Sequence, residues 1–253
     1  MGWQNAARDA LTSQLPPAEI IWTNQNHTHQ SLSLFSPAEI SATNPDSPPF
    51  RVPKNFIASA RTASLIRSGE QWPLLYRLLW RLTRGEPKLL EISVDADVRA
   101  LHEMEKAIRR DIHKMRAFVR FREVPTDNGS WFVAWFEPQH FIVEANSKFF
   151  TDRFASMRWS ILTPERCAHW NTEKLWFTEG VAKSAAHAGD AKENLWLTYY
   201  ANIFNPARVK VRAMQKEMPK KYWHNLPEAE LISPLLKDAP RRTKAMLLHA
   251  DKK

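Results

Sequence analysis

The sequence predicts an α+β fold: a single globular domain in which several helices pack a small antiparallel sheet. Three observations point there. Long stretches repeat apolar residues at i, i+3, i+4, others alternate with period two, and the two kinds are mixed along the chain with no internal repeat. Of 253 residues, 43% are hydrophobic, including 11 Trp and 13 Phe, enough to bury a core.

The elements follow in order. Trp3 to Leu15 reads as a short helix with Trp3, Ala7, Leu11 and Leu15 on one side. Pro16-Pro17 stops it, and Glu19 to Trp22 reads as a strand. Thr23 to Arg51 shifts to Asn, Ser, Pro, Thr and His, the composition of a linker or long loop. Lys54 to Ser68 and Pro73 to Arg84 carry helical periodicity, the second nearly apolar all round and so central. Gly85 suits the position just past that helix. Ala96 to Arg116 is the clearest amphipathic helix, with Val98, Leu101, Met104, Ile108, Ile112 and Met115 on its apolar side.

Ala117 to Val124 then alternates as a strand, placing Phe118, Arg120 and Arg122 on one face. Trp131 to Glu137 is its partner across a turn containing Asn128-Gly129. Ile142 to Met157 reads as a helix, and Trp159 to Leu162 and Leu175 to Thr178 as strands. Glu179 to Lys192 reads as a loop. Asn194 to Phe204 and Pro206 to Met218 read as helices, Pro206 suiting a first turn. The domain reading is 1–22 as helix and strand, 23–51 as linker, 52–236 as main domain and 237–253 as a basic tail.

Charge gives the functional lead. Lys and Arg number 36 against 27 Asp and Glu, a net charge of +9. Lys106 to Arg122 holds seven bases (Lys106, Arg109, Arg110, Lys114, Arg116, Arg120 and Arg122) and one acid, Asp111. A folded element that concentrates cations favours an anionic partner, and nucleic acid leads. A second basic run, Arg208, Lys210, Arg212, Lys220 and Lys221, adjoins Tyr222 and Trp223, rings that either stack on bases or anchor the core. The alternative for the cations is a solvated face paired with acids elsewhere.

Candidate catalytic groups are His113, which lies within the cationic face, and Cys167 with His169, which share a face if Arg158 to Trp170 is extended. Arg158 and Glu137 would join them in a pocket. Other readings weigh against each: structural histidines, and a buried thiol acting as a small apolar group. No HExxH or HxH spacing, Walker motif, GxGxxG or GxSxG is present, so no metal or cofactor is expected. One cysteine cannot form an internal disulfide or a cysteine cluster, which fits a reducing cytoplasm. Met1 to Pro17 lacks an apolar run suited to a signal peptide or membrane span, so no membrane association is expected. Ala6 stands where myristoylation wants Ser or Thr.

Five segments carry a family resemblance: LLYRLLWRL (Leu74 to Leu82), RRDIHKMRAFVRFREV (Arg109 to Val124), FVAWFEPQHFIV (Phe132 to Val143), FFTDRFASMRWSILTPERCAHW (Phe149 to Trp170) and YYANIFNPARVKVRAMQKEMPKKYWHNLPEA (Tyr199 to Ala229). They resemble a bacterial domain of unknown function. It is found N-terminal to UdgX-type uracil-DNA glycosylase domains, and as a stand-alone DNA-metabolism protein associated with a radical SAM protein. The resemblance spans about Trp3 to Ile232 apart from the 23–51 insert, and no glycosylase segment follows it here, so no histidine is carried over as that domain's catalytic residue. It implies a DNA-binding accessory protein in bacterial DNA repair or DNA metabolism, with DNA, and a glycosylase-type or radical SAM repair protein, as partners. It leaves open an enzyme acting on damaged DNA or a nucleotide, and a scaffold for a repair enzyme.

Overall fold

A computed structural model describes residues 3–22, 50–126, 129–183, 218–226 and 229–250. The chain is α+β, as its periodicities predict. It divides into two compact units: residues 1–112 with 139–142, and residues 113–138 with 143–253.

The first unit is helical. It contains α1 (Trp3–Thr12), α2 (Lys54–Ala63), α3 (Gln71–Thr83) and the first part of α4 (Ala96–Phe118). Its core is built from α3, whose Leu74, Leu75, Tyr76, Leu78, Leu79 and Leu82 are all buried, and from Ala7, Ala10, Leu11, Phe56, Val98 and Leu101. Apolar residues line α3 on nearly every side, leaving Arg77 as its exposed residue, which is why the helix is central. α1 stops at Thr12 because Gln14 adopts a positive φ of 55°, and the Leu15 amide donates to the Ala10 carbonyl (3.0 Å). The expected strand at Glu19 to Trp22 is instead a 3-10 turn, Pro17–Glu19, followed by irregular chain. Proline fixes φ for such a turn, and Trp22 serves packing rather than a ladder, lying 5.8 Å from Trp3 and 5.4 Å from Tyr76. α2 ends at Ala63, shorter than its periodicity suggested, where the Ser64 hydroxyl donates to the Arg61 carbonyl.

The start of α4 is capped by Asp95, whose Oδ1 accepts from the amides of Asp97 (2.9 Å) and Val98 (3.2 Å). Arg81 beside Asp95 (2.8 Å) holds that carboxyl below its ordinary range. Further along, Asp111 is 2% exposed, and its Oδ2 accepts from the amides of Gln139 and His140, both at 2.9 Å. Arg67 Nε donates to the Gln139 carbonyl (2.9 Å), and the Phe141 amide donates to the Leu65 carbonyl (2.9 Å). Residues 139–142 are therefore held inside the helical unit.

The second unit is built on a five-stranded sheet in the order β1 (Arg122–Thr126), β2 (Gly129–Trp135), β3 (Trp159–Leu162), β4 (Arg166–Trp170) and β5 (Leu175–Glu179). β1/β2, β3/β4 and β4/β5 are antiparallel; β2/β3 is parallel. The parallel pair departs from the antiparallel expectation, and its cause is the connection. A parallel neighbour needs a crossover, and α5 (Val143–Arg153) supplies it. Thr126 pairs with Gly129, leaving a two-residue hairpin connection.

The expected strand from Ala117 starts late. α4 runs to Phe118, with the Val119 amide donating to the Met115 carbonyl (3.0 Å), and β1 opens at Arg122. β4 was not separated from β3 by sequence; Pro164 and Glu165 make the turn between them. One sheet face is apolar. Ala134, Phe136, Trp159, Ile161 and Ala168 are buried, and Phe150 of α5 packs edge-on to Trp159 at 6.1 Å. Tyr222, on the 3-10 turn Lys220–Asn225, is sandwiched between Phe118 (5.2 Å) and Phe136 (5.4 Å), so it is a core anchor. Residues 237–250, expected as a tail, belong to helix α6 (Ala229–Ala250), whose Ile232 and Leu235 are buried. The expected linker 23–51, apart from Phe50 and Arg51, and the expected helices Asn194 to Phe204 and Pro206 to Met218, apart from Met218 itself, lie outside the described residues, as does most of the expected loop Glu179 to Lys192 beyond Lys183.

Two predictions follow from these constraints. Asp111→Ala strips two amides of their buried acceptor and should cost about 3 kcal/mol in chemical denaturation, with Asp111→Asn costing less because one acceptor oxygen survives. At Gly180 an added Cβ would run into the backbone of Pro164 and Glu165. Backbone cannot swing aside as a side-chain tip can, so Gly180→Ala should lower stability by about 1–3 kcal/mol, measured the same way.

Candidate functional site

The sheet face opposite α5 carries the chemistry. Register and strand alternation put Arg122, Val133, Ser160, His169 and Trp176 side by side across the five strands. Trp131 and Trp135 of β2 and Thr178 of β5 lie on the same face, two residues along their strands from Val133 and Trp176. Arg122, Trp131, Trp135, Arg158, His169 and Trp176 are all half-buried there.

A row of hydrogen bonds crosses this face. Trp131 Nε1 donates to Ser160 Oγ (2.8 Å), Ser160 Oγ lies 2.8 Å from His169 Nδ1, and His169 Nε2 lies 2.9 Å from Thr178 Oγ1. Thr178 Oγ1 in turn donates to the Glu179 carbonyl (3.3 Å). Each hydroxyl has one proton, so a consistent direction has Nδ1 accepting from Ser160 and Nε2–H donating to Thr178. That arrangement wants a neutral imidazole. Burial also pushes the His169 pKa below its ordinary 6.5. The ring stacks on Trp176 at 5.3 Å and 23°, while Trp131 meets Trp176 edge-on at 6.3 Å. Arg158 lies 5.8 Å over Trp131, in the space left by the missing side chain of Gly129.

The expected cations separate by environment. Arg109 and Arg110 are exposed on the part of α4 in the helical unit. Lys106 pairs with Glu103 (3.5 Å) and Arg109 with Glu105 (3.6 Å). These acids stand just before the window in which only Asp111 was counted, so the local charge excess is smaller than that count suggested. Lys114 reaches over the Phe118 ring at 5.7 Å. Arg116 Nε donates to Asn146 Oδ1 (2.7 Å) and its guanidinium lies 4.5 Å over Phe149. Arg120 does not share a strand face with Arg122. Its Nη1 donates to the carbonyls of Ala117 (2.7 Å) and Val119 (3.2 Å) and closes the end of α4, because helix ends leave carbonyls without partners. Lys220 is exposed, and Lys221 follows it on the 3-10 turn. Arg208, Lys210 and Arg212 lie outside the described residues.

The candidate catalytic groups do not form one constellation. His113 is exposed on α4. Cys167 is fully buried, with its Sγ 3.5 Å from the Thr163 amide and 3.6 Å from the Thr163 carbonyl, the position of a packed thiol closed to a substrate. His169 does face a hydroxyl, but Ser160 is 7% exposed and no carboxylate among the described residues hydrogen-bonds the ring. Glu137 accepts from Trp135 Nε1 (2.8 Å).

A family model described as DUF4130, a domain of unknown function, matches residues 69–228. The chain belongs to this family. The DUF4130 match contains the whole sheet, α5 and all of α4. No curated protein and no solved structure matches the chain. Among the described residues no cluster of three or more His, Cys, Asp or Glu could hold a metal ion, and no helix is long and apolar enough to cross a membrane.

Sequence reasoning missed Trp131, Trp176 and Thr178 as site residues. The signal was there in part: on any strand, alternation puts Trp176 and Thr178 on one face, as it does Cys167 and His169. What alternation could not supply was which strands would be neighbours.

The His169 row gives a pH prediction. A histidine whose folded pKa is depressed lets the unfolded chain bind the extra proton, so its stability contribution is complete above about 6.5 and falls as pH drops from there through the folded value. Urea unfolding at pH 7.5 and pH 5.5 should show a larger loss on acidification for the native protein than for His169→Asn. Equal losses would mean that the imidazole does not titrate in this way.

Proposed function

We propose that this DUF4130 protein is a DNA-binding module in DNA repair or DNA metabolism, and that the sheet face of its second unit is the surface that holds DNA. One observation carries the reading. Three half-buried indoles, Trp131, Trp135 and Trp176, share one sheet face with Arg122 and Arg158. Indole rings offer stacking surface to any base, and guanidiniums offer charge to the backbone. A duplex keeps its base faces stacked inside, so a flat aromatic face of this kind favours single-stranded or distorted DNA. The net charge of +9 supports the same class of partner. DNA rather than RNA is supported by the resemblance to domains that accompany uracil-DNA glycosylases and a radical SAM protein. On this reading such a repair protein is the functional partner, and the work is done in the cytoplasm. The geometry favours holding DNA over transforming it, because Cys167 is sealed and both nitrogens of His169 are taken by hydroxyls.

Fluorescence anisotropy with single-stranded and duplex oligonucleotides at two salt concentrations tests the proposal. Salt-sensitive binding is expected, tighter for the single strand. Trp176→Ala should weaken it by about 1–3 kcal/mol, the cost of one lost stack. Arg122→Ala should lower the slope of log affinity against log salt by about 0.7. Absence of salt-sensitive binding to either oligonucleotide would sink the reading.

A further inference from the structure

Arg116 is held by two residues of one neighbouring helix. Its Nε donates to Asn146 Oδ1 at 2.7 Å, and its guanidinium carbon lies 4.5 Å over the Phe149 ring. The guanidinium is thus held by a hydrogen bond and a ring contact, both from residues of α5. The side chain is nevertheless exposed, and neither Nη group has a hydrogen-bond partner among the described residues. A long arginine ordinarily loses rotamer freedom when it binds an anion; here that freedom is already spent.

Asn146 is the second observation. It is 0% exposed, and its Nδ2 has no hydrogen-bond partner among the described residues. A buried amide N–H without a partner costs about 1–3 kcal/mol, and an apolar residue in its place would avoid that cost. What the amide supplies is the acceptor opposite Arg116 Nε. A fixed fork of free N–H groups matches two oxygens of one phosphoryl group. His113, three residues earlier on α4 and also exposed, stands on the same side of the helix within reach of the same anion. Arg120, one turn later, is excluded because its Nη1 closes the helix end.

We propose that Arg116, positioned by Asn146 and Phe149 and accompanied by His113, forms a phosphoryl-binding site on the α5 side of the second unit, taking a phosphate of the nucleic-acid strand outside the segment stacked on the opposite sheet face. This rests on the DNA-binding reading, and it assigns Asn146 as a positioning residue. The distinguishing feature is geometry rather than charge. Arg116→Lys keeps the charge and loses the fork, so it should weaken binding of a single-stranded oligonucleotide roughly tenfold while leaving the salt slope unchanged. Asn146→Ala should weaken binding to a similar degree, and Arg241→Lys, a swap elsewhere on α6, should bind within about twofold of the native protein. Native affinity in Arg116→Lys, a surface change that folding tolerates, would overturn the site.

A second readout separates this site from the function it serves. In full-length protein labelled with 15N-arginine, inorganic phosphate should shift the Arg116 Nε signal in the native chain and not in Asn146→Ala. If no oligonucleotide binds, the DNA reading fails, and a phosphate-dependent Arg116 shift would still uphold the phosphoryl site, for a ligand of another class. No shift with phosphate at millimolar concentration would remove the site as well.

Discussion

The buried carboxylate of Asp111 is the contact on which the chain's course depends. It accepts from two successive amides, Gln139 and His140, at the point where the chain has left β2 and is about to enter α5. Amides in a connection have no ladder to satisfy them, and burial without an acceptor would be costly. The carboxylate meets that need from a helix position otherwise surrounded in sequence by cations. Arg67 and Leu65 add two further bonds to the same four residues. β2 and β3 are parallel, so the chain between them must cross over, and residues 139–142 of that connection are held within the helical unit by this clamp.

The crossover helix gives the sheet two unlike faces. Phe150 of α5 meets Trp159 on one side, where the strand residues are apolar and buried. Period-two alternation then forces the intervening residues to the other side. The same alternation that buries Trp159, Ile161 and Ala168 brings Ser160 beside His169 and His169 beside Trp176. The hydroxyl–imidazole–hydroxyl row and the indoles around it are thus a consequence of register. A slip of one residue would bury them and expose the core.

The run of cations is not one surface of equivalent charges. Lys106 and Arg109 answer acids one turn away, where exposed pairs contribute little. Arg120 satisfies the carbonyls at a helix end. Arg122 is carried onto the sheet face, and Arg116 is locked between an amide and a ring. The proposed nucleic-acid contacts use the last two, one on the sheet face and one held against α5.

Much of this was legible in the sequence. α3 and α4, the strands at 129–135, 159–162 and 175–179, the α+β class and the family were all readable from it, because apolar period and turn residues are local properties, whereas the strand at 122–126 was expected from Ala117. Helix ends were less so: α2 and α5 stop short of their periodic patterns and α4 overruns its own, since termination depends on which carbonyls find partners. The charge on residues 106–122 was plain, but not its division into paired, capping and presented groups. Cys167 and His169 were rightly placed on one strand face, yet only packing decided that the thiol is sealed while the imidazole meets Ser160 and Thr178. Composition and period are fixed residue by residue along the chain. Neighbourhood across strands and helices is fixed by pairing over long sequence separations, and the tertiary structure alone decides it.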